Sequence, residues 1–476
     1  MNKISRREFA RLGTAAALGT FLPHRSSVAS MNLDFTVPEK ERPNVIFFMT
    51  DDQRWDGMSC TGNPFIETPN MDRLAYEGAI FTNAFVTNSL CGPSRATCLT
   101  GKYSHNTGVK VNSGTLPTSQ KTFLERARDQ GYLAGFVGKW HNKNFGRDRE
   151  LDYYFGFRGQ GKYHDPVIQE NNGEEHVYEG WIEDILAGKS IEFIRRAARK
   201  VKPFMLCHWF KTPHQTCEPA DRHKEFFANK IYPKPKTFYT DYEGKPKAVK
   251  EADLRIGGNA PFSYAKDWNE MVRNIYRVLI GVDENLGRIL DTLDELGLTE
   301  NTLVIFTSDN GYFLGEHGFF DKRLMYEPSL RLPLLIRYPK KIKPGTVIDE
   351  FALNIDFAPT IMDYAGIPIP KDVDGRSLAP LLEGQPVKWR KDFLYEYYEY
   401  PRGHKVRPHN GVRTRRWKYI QYYDFPRQYE LYDLENDPEE ENNLINDPRY
   451  ADIVEWLNER LVELRIETGD PDLQFE

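Results

Sequence analysis

Short runs of apolar residues, each bounded by polar or turn-forming positions, recur along the chain. Such runs are typical of strands that are buried on both faces of a parallel sheet. They cover residues 45–49, 133–137, 204–209 and 303–307, with a more mixed run at 84–90. Between them lie helical patterns, the clearest at 270–296, where Gly297 is placed to end the helix. Strands that alternate with helices predict an α/β fold, with a large, mostly parallel sheet flanked by helices.

The pattern changes near residue 385, after Gly384-Gln385-Pro386. The segment that follows is rich in Tyr and Arg, and it predicts exposed or half-exposed strands at 393–400 and 417–423. An amphipathic pattern at 450–465 predicts a final helix. We therefore expect a main α/β domain over 43–386 and a smaller C-terminal α+β subdomain over 387–476. A long excursion loop is expected at 232–252.

The first thirty residues have the pattern of an export signal. Ser5-Arg6-Arg7-Glu8-Phe9 precedes an apolar stretch at 12–22, and small residues follow at Ser27-Val28-Ala29. The arginine pair resembles a twin-arginine signal, although Ala10 and Arg11 stand where that signal usually has Leu and Lys. We expect a signal peptide at 1–30, an irregular segment at 31–42, and a periplasmic or secreted mature protein that has used the export machinery. The alternative is a retained, frayed N-terminus.

Composition narrows the class of protein. Of the 476 residues, 40% are hydrophobic and 28% charged, and the formal net charge is −5. These values are typical of a globular protein. The chain does not have the excess of basic residues that is typical of nucleic-acid-binding proteins. Beyond the N-terminal stretch no segment is apolar over a membrane-spanning length, so stable membrane insertion is not expected. Five cysteines make a poor disulfide framework for a chain this long, and few obligatory disulfides are expected.

Reactive side chains follow the end of every apolar run. In chain order they are Asp51 and Asp52, then Cys91 and Arg95, then Lys139 and His141, then Lys211 and His214, and finally Asp309 and Asn310. Ligands of open α/β sheets bind just outside the carboxyl ends of the strands. We therefore expect these side chains to meet at one rim of the sheet. The recurrence at five successive runs carries more weight than any single residue.

The acidic members of this set predict a metal site. Asp51, Asp52, Asp309 and the amide oxygen of Asn310 are hard oxygen donors, which Ca²⁺ and Mg²⁺ prefer. No cysteine or histidine cluster has the spacing of a zinc finger. Asp51-Asp52 alone would more simply be a polar cap at the end of a strand. Two acidic strand ends together favour a metal.

The segment from Cys91 to Gly101 predicts an anion-binding corner. Pro93 suits the first turn of a helix, which places Cys91 at the positive helix N-terminus. A nucleophile is favoured there, and Arg95, one turn on, can face the same anion. The alternative is a buried structural cysteine, the usual state of a free thiol.

These residues carry a family resemblance. The pattern Cys91-x-Pro93-Ser94-Arg95-x-x-x-Leu99-Thr100-Gly101 resembles the signature of the formylglycine-dependent sulfatases, in the alkaline phosphatase superfamily. The resemblance covers most of the mature chain. It begins at Arg42-Pro43-Asn44, continues through the segment 68–74, and reaches Glu430-Leu431-Tyr432-Asp433-Leu434 with the following Asp437-Pro438. It implies an alkaline-phosphatase-like fold and hydrolysis of sulfate esters.

The resemblance also implies roles for individual residues. A separate maturase would oxidise Cys91 to formylglycine, whose hydrate attacks sulfur and later expels sulfate. The implied metal ligands, usually of Ca²⁺, are Asp51, Asp52, Asp309, Asn310 and the modified Cys91. Arg95, supported by His141, would hold the hydrated aldehyde. Lys139, His214 and Lys322 would contact the sulfate, and His214 is the leading candidate for protonating the leaving alcohol. Arg323 is the alternative to Lys322, and His317 either touches substrate or is structural.

The identity of the sulfated molecule is less constrained. A basic stretch that contains Arg402, His404, Lys405, Arg407 and His409 either meets a polyanionic glycan or is a solvated loop. The segment 315–323 and the C-terminal tail resemble bacterial glycan sulfatases, including the N-acetylglucosamine-6-sulfatase type. An exo-acting sugar O-sulfatase is therefore expected, with sulfated algal polysaccharide as an alternative substrate. The rival functions are a phosphodiesterase or phosphonate monoester hydrolase of the same superfamily, a catalytically dead glycan-binding protein, and an enzyme that removes N-sulfate.

Overall fold

A computed structural model describes residues 42–141, 148–200, 202–257, 265–402, 404–423 and 426–470. The predicted signal peptide lies outside the described residues, as does all but the last residue of the segment 31–42. The strands are β1 Asn44–Thr50, β2 Ala79–Phe81, β3 Ala84–Phe85, β4 Leu133–Gly138, β5 Tyr153–Gly156, β6 Val167–Glu170, β7 Glu175–Val177, β8 Phe204–Trp209, β9 Thr302–Ser308, β10 Phe313–Leu314, β11 Phe320–Asp321, β12 Leu334–Arg337, β13 Thr346–Ile348, β14 Ala352–Leu353, β15 Asp392–Tyr397, β16 His409–Thr414, β17 Trp417–Tyr422 and β18 Gln428–Asp433.

The α-helices lie between and after these strands. They are α1 Pro69–Glu77, α2 Cys91–Thr100, α3 Ser104–Thr107, α4 Phe123–Asp129, α5 Ile182–Lys200, α6 Lys247–Lys250, α7 Trp268–Glu295, α8 Glu327–Leu330, α9 Phe357–Tyr364, α10 Ala379–Leu382 and α11 Ala451–Glu467. Short 3-10 helices cover Ser59–Thr61, Asp221–His223, Lys236–Phe238, Thr299–Asn301, Glu316–Gly318, Asn354–Asp356 and Pro448–Tyr450. The predicted excursion loop at 232–252 thus contains only one such turn and α6.

A ten-stranded sheet forms the centre of the molecule, in the order β13-β2-β12-β9-β1-β8-β4-β5-β6-β7. Its middle strands β9, β1, β8, β4 and β5 are all parallel, while β12, β6 and β7 pair antiparallel with their neighbours. The predicted large, mostly parallel sheet is therefore confirmed. Met49 of β1 lies beside Trp209 of β8 and Thr307 of β9, so these strands end at one edge.

Both faces of this sheet are covered, which explains why its strands are apolar throughout. Ile46 and Phe48 of β1 belong to the core beneath α5 and α7, and Val45, Phe47 and Met49 to the core beneath α2, α4 and α9. Helix α7 confirms the helical pattern at 270–296 and begins two residues earlier. The Asp267 side chain caps it by accepting a hydrogen bond from the Glu270 amide.

One predicted strand of the main sheet is wrong. Only Ala84–Phe85 of the run 84–90 forms a strand, and it pairs with Ala352–Leu353 in a separate two-stranded sheet. The polar residues that follow are buried but find partners outside any sheet. Asn354 Oδ1 accepts from the amide and hydroxyl of Thr87, and Ser89 Oγ donates to the Ser329 carbonyl. Satisfied polar groups allow a buried loop to lead into helix α2.

The C-terminal residues form a four-stranded antiparallel sheet, β15-β16-β17-β18, with helix α11 against it. The predicted α+β subdomain is confirmed, but its strands are buried rather than half-exposed. Helix α11 covers one face. On the other, Tyr395 Oη donates to the Arg323 carbonyl at 2.6 Å, and Tyr326 Oη donates to Glu430 at 2.7 Å. The sheet is thus sandwiched between its own helix and the main domain.

Two chain-wide features complete the description. Within the described ranges, none of the helices combines the length and apolar character needed to cross a bilayer. The five cysteines are all free thiols, and four of them are buried.

Candidate active site

Four neighbouring strands deliver their ends to one place. Backbone hydrogen bonds tie these ends together: the Asp51 amide donates to Thr212 O at 3.0 Å, the Asp309 amide to Thr50 O at 3.1 Å, and the Lys139 amide to Trp209 O at 2.9 Å. The side chains that follow β9, β1, β8 and β4 are therefore held at fixed relative positions. This edge is the rim at which the sequence placed its reactive residues.

An acidic cluster occupies the centre of this rim. Oxygen atoms of Asp51, Asp52 and Asp309 lie within 4.8 Å of one another, and all three side chains are buried. Asn310 Nδ2 donates to Asp52 Oδ1 at 2.7 Å, which turns the amide of Asn310 towards the same group. Asp51 Oδ1 and Asn310 Oδ1 are buried oxygens that accept no hydrogen bond from the described residues. A hard divalent cation fits such a donor set.

Cations from three elements surround the carboxylates. Lys139 pairs with Asp51, Lys322 Nζ lies 2.6 Å from Asp52 Oδ2, and Arg95 Nε lies 2.9 Å from Asp309 Oδ2. Burial alone would raise the pKa of Asp51, but Lys139 and the other nearby basic groups together outweigh it and hold the pKa well below its ordinary value. Burial and the neighbouring Asp51 raise the pKa of Asp309 to about 7.

Cys91 begins helix α2, as the sequence predicts, and its side chain faces the cluster. The sulfur lies 3.9 Å from Asp52 Oδ1, and a ligand atom of Cys91 falls within 4.8 Å of those of Asp51 and His214. The Gly92 amide donates to Asn112 Oδ1 at 2.9 Å, and Gly101 ends the helix in the left-handed conformation. Burial raises the pKa of the Cys91 thiol well above its ordinary value, so the unmodified side chain is protonated.

Arg95 and His141 lie behind the cluster. Arg95 is fully buried, and Nη1 donates to the Lys139 carbonyl at 2.6 Å while its plane lies 5.4 Å from the Trp209 ring. His141 adopts a left-handed backbone with φ 67°, and its buried Nδ1 has no hydrogen-bond partner among the described residues. Burial, then Lys139 and Arg95, lower the pKa of His141 well below its usual value, so the ring is neutral.

His214 approaches the cluster from the loop after β8. Its Nδ1 lies 2.9 Å from the Gln215 carbonyl, a contact that requires the proton on Nδ1. Its Nε2 then points, unprotonated, towards Asp52 Oδ2 at 3.8 Å. Burial lowers the pKa of His214 well below its usual value, and the Lys139 charge adds to this effect. The neutral ring thus presents a lone pair to the reaction centre.

Comparison with known proteins identifies the chain. The family model for sulfatases matches residues 43–367. The chain belongs to the sulfatase family. It is accordingly an enzyme, a sulfuric ester hydrolase. A second family model, "N-sulphoglucosamine sulphohydrolase, C-terminal", matches residues 315–467 of this sulfatase.

Relatives of this sulfatase act on sulfated sugars by name. An N-acetylglucosamine-6-O-sulfatase of Bacteroides thetaiotaomicron is 37% identical, over 91% of this chain and 89% of its own. The human N-acetylglucosamine-6-sulfatase is 31% identical, over 75% and 67%. A solved structure in complex with its substrate D-glucosamine-2-N,6-O-disulfate has TM-score 0.85 and 37% identity, over 90% of this chain and 99% of its own. The phosphonate monoester hydrolase of Agrobacterium radiobacter, at 24% identity and TM-score 0.75 over 90% and 96%, shares the fold.

The loop after β11 separates two residues that the sequence left as alternatives. Lys322 reaches the acidic cluster of the sulfatase, whereas Arg323 Nη1 lies 3.5 Å from Tyr397 Oη and 3.6 Å from Glu399 Oε1. Arg323 thus faces the C-terminal sheet. The structure favours Lys322 as the cation at the reaction centre.

The remaining predicted substrate residues do not stay together. His404 Nε2 lies 2.8 Å from Asp321 Oδ2, directly beside Lys322. Arg407 instead pairs with Glu251 at the surface, and Arg402 is exposed. His317 is buried 5.0 Å from the Tyr326 ring, in the wall of a separate cavity. Only His404 of this group therefore adjoins the acidic cluster.

Sequence reasoning missed two residues that contact the predicted site residues of the sulfatase. Asp321 links His404 to Lys322, and its place immediately before Lys322 was the available signal. Glu183 was not detectable, because it lies on helix α5 far from any motif. Its Oε1 accepts from the amides of Lys211 at 3.0 Å and Thr212 at 2.9 Å. Glu183 thereby holds the loop that carries His214.

Proposed function

We propose that this sulfatase removes an O-sulfate from the terminal sugar of a sulfated glycan, with a 6-sulfated glucosamine unit as the substrate class. One observation carries the proposal: Cys91, Asp51 and His214 converge within 4.8 Å at the N-terminus of a buried helix. This arrangement supports the proposal that a nucleophile, a metal ligand and a proton-transfer group act together on a single small group. The N-acetylglucosamine-6-O-sulfatase relative, which matches nearly the whole chain, supports the choice of sugar.

A divalent cation would be held by Asp51, Asp52, Asp309, Asn310 and the Cys91 position. Ca²⁺ is favoured and Mg²⁺ is the alternative, because both ions prefer oxygen donors. The two buried oxygens without hydrogen bonds, Asp51 Oδ1 and Asn310 Oδ1, support this assignment. When bound, the cation would lower the pKa of the attacking hydroxyl and neutralise the sulfate oxygens. Lys139 and Lys322 flank the same carboxylates and would bind the sulfate from either side.

Cys91 would act after oxidation to formylglycine by a maturase, because its buried thiol is protonated and is a poor nucleophile as it stands. One hydroxyl of the aldehyde hydrate would attack sulfur and displace the sugar alcohol. Loss of the proton from the second hydroxyl would then expel sulfate and restore the aldehyde. Arg95 lies within the same buried helix, and its guanidinium holds the Asp309 carboxyl group in place at 2.9 Å. Its role would be to fix the nucleophile and the metal ligands together.

His214 would govern the proton on the leaving alcohol. A neutral ring with its proton on Nδ1 can take a proton at Nε2 from the attacking hydroxyl and give it to the departing alcohol oxygen. His141, also neutral, would support the nucleophile from the Lys139 side.

Two further residues would recognise the sugar next to the sulfate: His404, which Asp321 orients, and Arg323, which lies beside Glu399. We further propose export by the twin-arginine pathway, with maturation before or during that step.

The test measures free sulfate released from a panel of substrates by enzyme produced together with an active maturase. The panel contains defined sulfated mono- and oligosaccharides, an aryl sulfate and an aryl phosphate. We expect strong release from a 6-sulfated glucosamine at the chain end, and none from Cys91→Ala protein of unchanged fold. Retained activity in Cys91→Ala would refute the formylglycine assignment. Turnover of the phosphate ester alone would contradict the substrate assignment and favour the phosphonate monoester hydrolase class.

A further inference from the structure

A second cavity, of about 750 Å³, lies apart from the catalytic cluster. Its walls come from the loop after Asp52, the tip of the β10–β11 hairpin, the start of helix α8 and the segment 438–440. None of the proposed metal ligands lines it. Both the main domain and the C-terminal subdomain contribute to it, and its size suits one or two sugar units.

An ion-pair cluster separates this cavity from the reaction centre. Arg54 Nη1 lies 2.7 Å from Glu316 Oε1 and 3.1 Å from the Tyr312 carbonyl, and Arg54 Nε lies 2.7 Å from Asp56 Oδ1. The Leu314 amide donates to the other oxygen of Glu316 at 2.7 Å. These contacts lie between the cavity and Asp52, which is not among the residues that line it.

Arg331 gives the cavity an anion-binding group. Its guanidinium lies 3.7 Å from the centre of the Trp55 ring, and Nη2 donates to the Thr82 carbonyl at 2.7 Å. Arg331 forms no ion pair with any residue of the described ranges, although it lies close enough to Glu327 to sense its charge. Stacking and one hydrogen bond fix the guanidinium and leave other N–H groups to donate.

Tyr232 contributes a polar group that has no partner among the described residues. Only 4% of the residue is exposed, and its Oη is buried without a hydrogen-bond partner among the described residues. Phe65 and Tyr276, each 5.2 Å away between ring centres, hold the ring in place. Buried hydroxyl groups nearly always form hydrogen bonds, so this hydroxyl at the cavity wall is a candidate donor to a bound group.

The rim and floor add further features of a sugar site. Lys234 and Lys236 are exposed at the rim and form no ion pair with a described carboxylate. His317 lies in the wall, where burial lowers its pKa to about 3 and keeps the ring neutral. Most of the acidic groups in the walls already have basic partners, as Glu327 has in Arg413. The unpaired charge of the cavity is therefore mainly positive.

We propose that this cavity is a second saccharide site, which binds an anionic sugar unit of the glycan away from the unit that loses its sulfate. Aromatic rings with a stacked guanidinium and hydroxyl donors are the groups that recognise such a unit. The inference rests on the proposed function, since it takes the ligand to be the same sulfated glycan. It would let the enzyme hold a chain while its end is processed.

The test uses full-length Cys91→Ala protein, which binds without turnover, and isothermal titration calorimetry. The probes are a sulfated octasaccharide of glucosamine and uronic acid, the same chain after chemical desulfation, and a neutral N-acetylglucosamine oligosaccharide. Arg331→Gln and Tyr232→Phe are added singly to this background. The matched control is Arg195→Gln. Arg195 is an exposed arginine that pairs with Glu295 and does not line the cavity. Thermal unfolding checks that each variant is folded.

Arg331→Gln should weaken binding of the sulfated octasaccharide about tenfold, since a charged hydrogen-bond donor is lost. Tyr232→Phe should weaken it about threefold, and Arg195→Gln should leave it unchanged. If the desulfated chain still binds tightly, the recognised group is the carboxylate. If the desulfated chain no longer binds, the recognised group is the sulfate. Equal affinities in parent and cavity variants, or preference for the neutral probe, would overturn the proposal.

Two further measurements keep the result unambiguous. If Arg331→Gln does not fold, the double variant Lys234→Gln/Lys236→Gln changes only exposed rim residues and should also weaken binding. An unchanged affinity there would count against the site. A failure of the proposed function is detected in a different experiment. In that case the mature enzyme, with Cys91 intact, releases no sulfate, and this result does not depend on how tightly the inactive protein binds the octasaccharide.

Discussion

Lys322 Nζ lies 2.6 Å from Asp52 Oδ2, so a loop that follows a two-residue strand neutralises a carboxylate at the end of the central strand β1. Both side chains are almost fully buried. The attraction is strong because little water screens it, and it joins two parts of the chain 270 residues apart. This contact places Lys322, rather than its neighbour Arg323, at the acidic cluster.

Lys322→Gln should lower kcat/KM for a sugar sulfate about a hundredfold to a thousandfold, the usual loss when one preorganised charge is removed. Arg323→Lys is the matched comparison, because it preserves charge at the adjacent position beside Glu399. That variant should mainly raise KM and keep most of kcat. Steady-state kinetics on both variants test the assignment, which is wrong if Arg323→Lys loses as much kcat as Lys322→Gln.

Removal of the metal should abolish activity and destabilise the protein. Asp51, Asp52 and Asp309 are buried together, and without a cation their mutual repulsion opposes folding. Ca²⁺ at about a hundred times its Kd should add roughly 3 kcal/mol to the free energy of unfolding. Calorimetry before and after dialysis against a chelator measures this change. Asn310→Ala removes one expected ligand, so Ca²⁺ should raise the free energy of unfolding of this variant by a smaller amount. Full activity after exhaustive chelation would disprove the metal site.

Glu183→Ala should reduce kcat about tenfold or more, because the loop that positions His214 loses its acceptor at Lys211 N and Thr212 N. Glu183→Gln retains the acceptor oxygen and should restore most of the activity. Asp184→Ala, at the next position of helix α5, removes a half-buried partner of Arg222 and Asn285 and serves as the control. If Glu183→Gln is as slow as Glu183→Ala, the positioning role is incorrect.

Stability should depend on the protonation of His105. Burial alone would lower the pKa of this histidine, but the Glu396 carboxylate 2.6 Å from Nδ1 outweighs it and raises the pKa to about 9. A raised pKa in the folded state stabilises the protein below the unfolded pKa near 6.5, and this stabilisation is lost as pH rises through about 9.

The expected loss between pH 6.5 and 9 is roughly 3 kcal/mol in the free energy of unfolding. Chemical denaturation at several pH values measures it. His105→Gln should remove this part of the pH dependence, whereas His176→Gln, at an exposed strand position, should leave it unchanged. An identical pH profile for the parent and His105→Gln would rule out this ion pair as its source.

Much of the fold could be predicted because the strands and the long helix carry their signals locally. The run 45–49 is apolar at every position, since β1 has a helical layer on each side, and helix α7 repeats apolar residues over seven turns. The run 84–90 failed because its polar residues pair with Asn354 and Ser329, which are distant in sequence. The strand at 417–423 was misjudged because exposure depends on what packs against the sheet, and the main domain covers its second face.

The sequence by itself determined the chemical inventory of this sulfatase: the Cys91 motif, the acidic strand ends, and the cations that follow β4 and β8. Those features are local, set by residue identity and by the periodicity of single elements. Only the tertiary structure decided which groups meet. Strand order put Asp309 beside Asp51, the hairpin brought Lys322 rather than Arg323 to Asp52, and packing sent His317 into a separate cavity. Such pairings depend on contacts between segments hundreds of residues apart, which local sequence patterns do not specify.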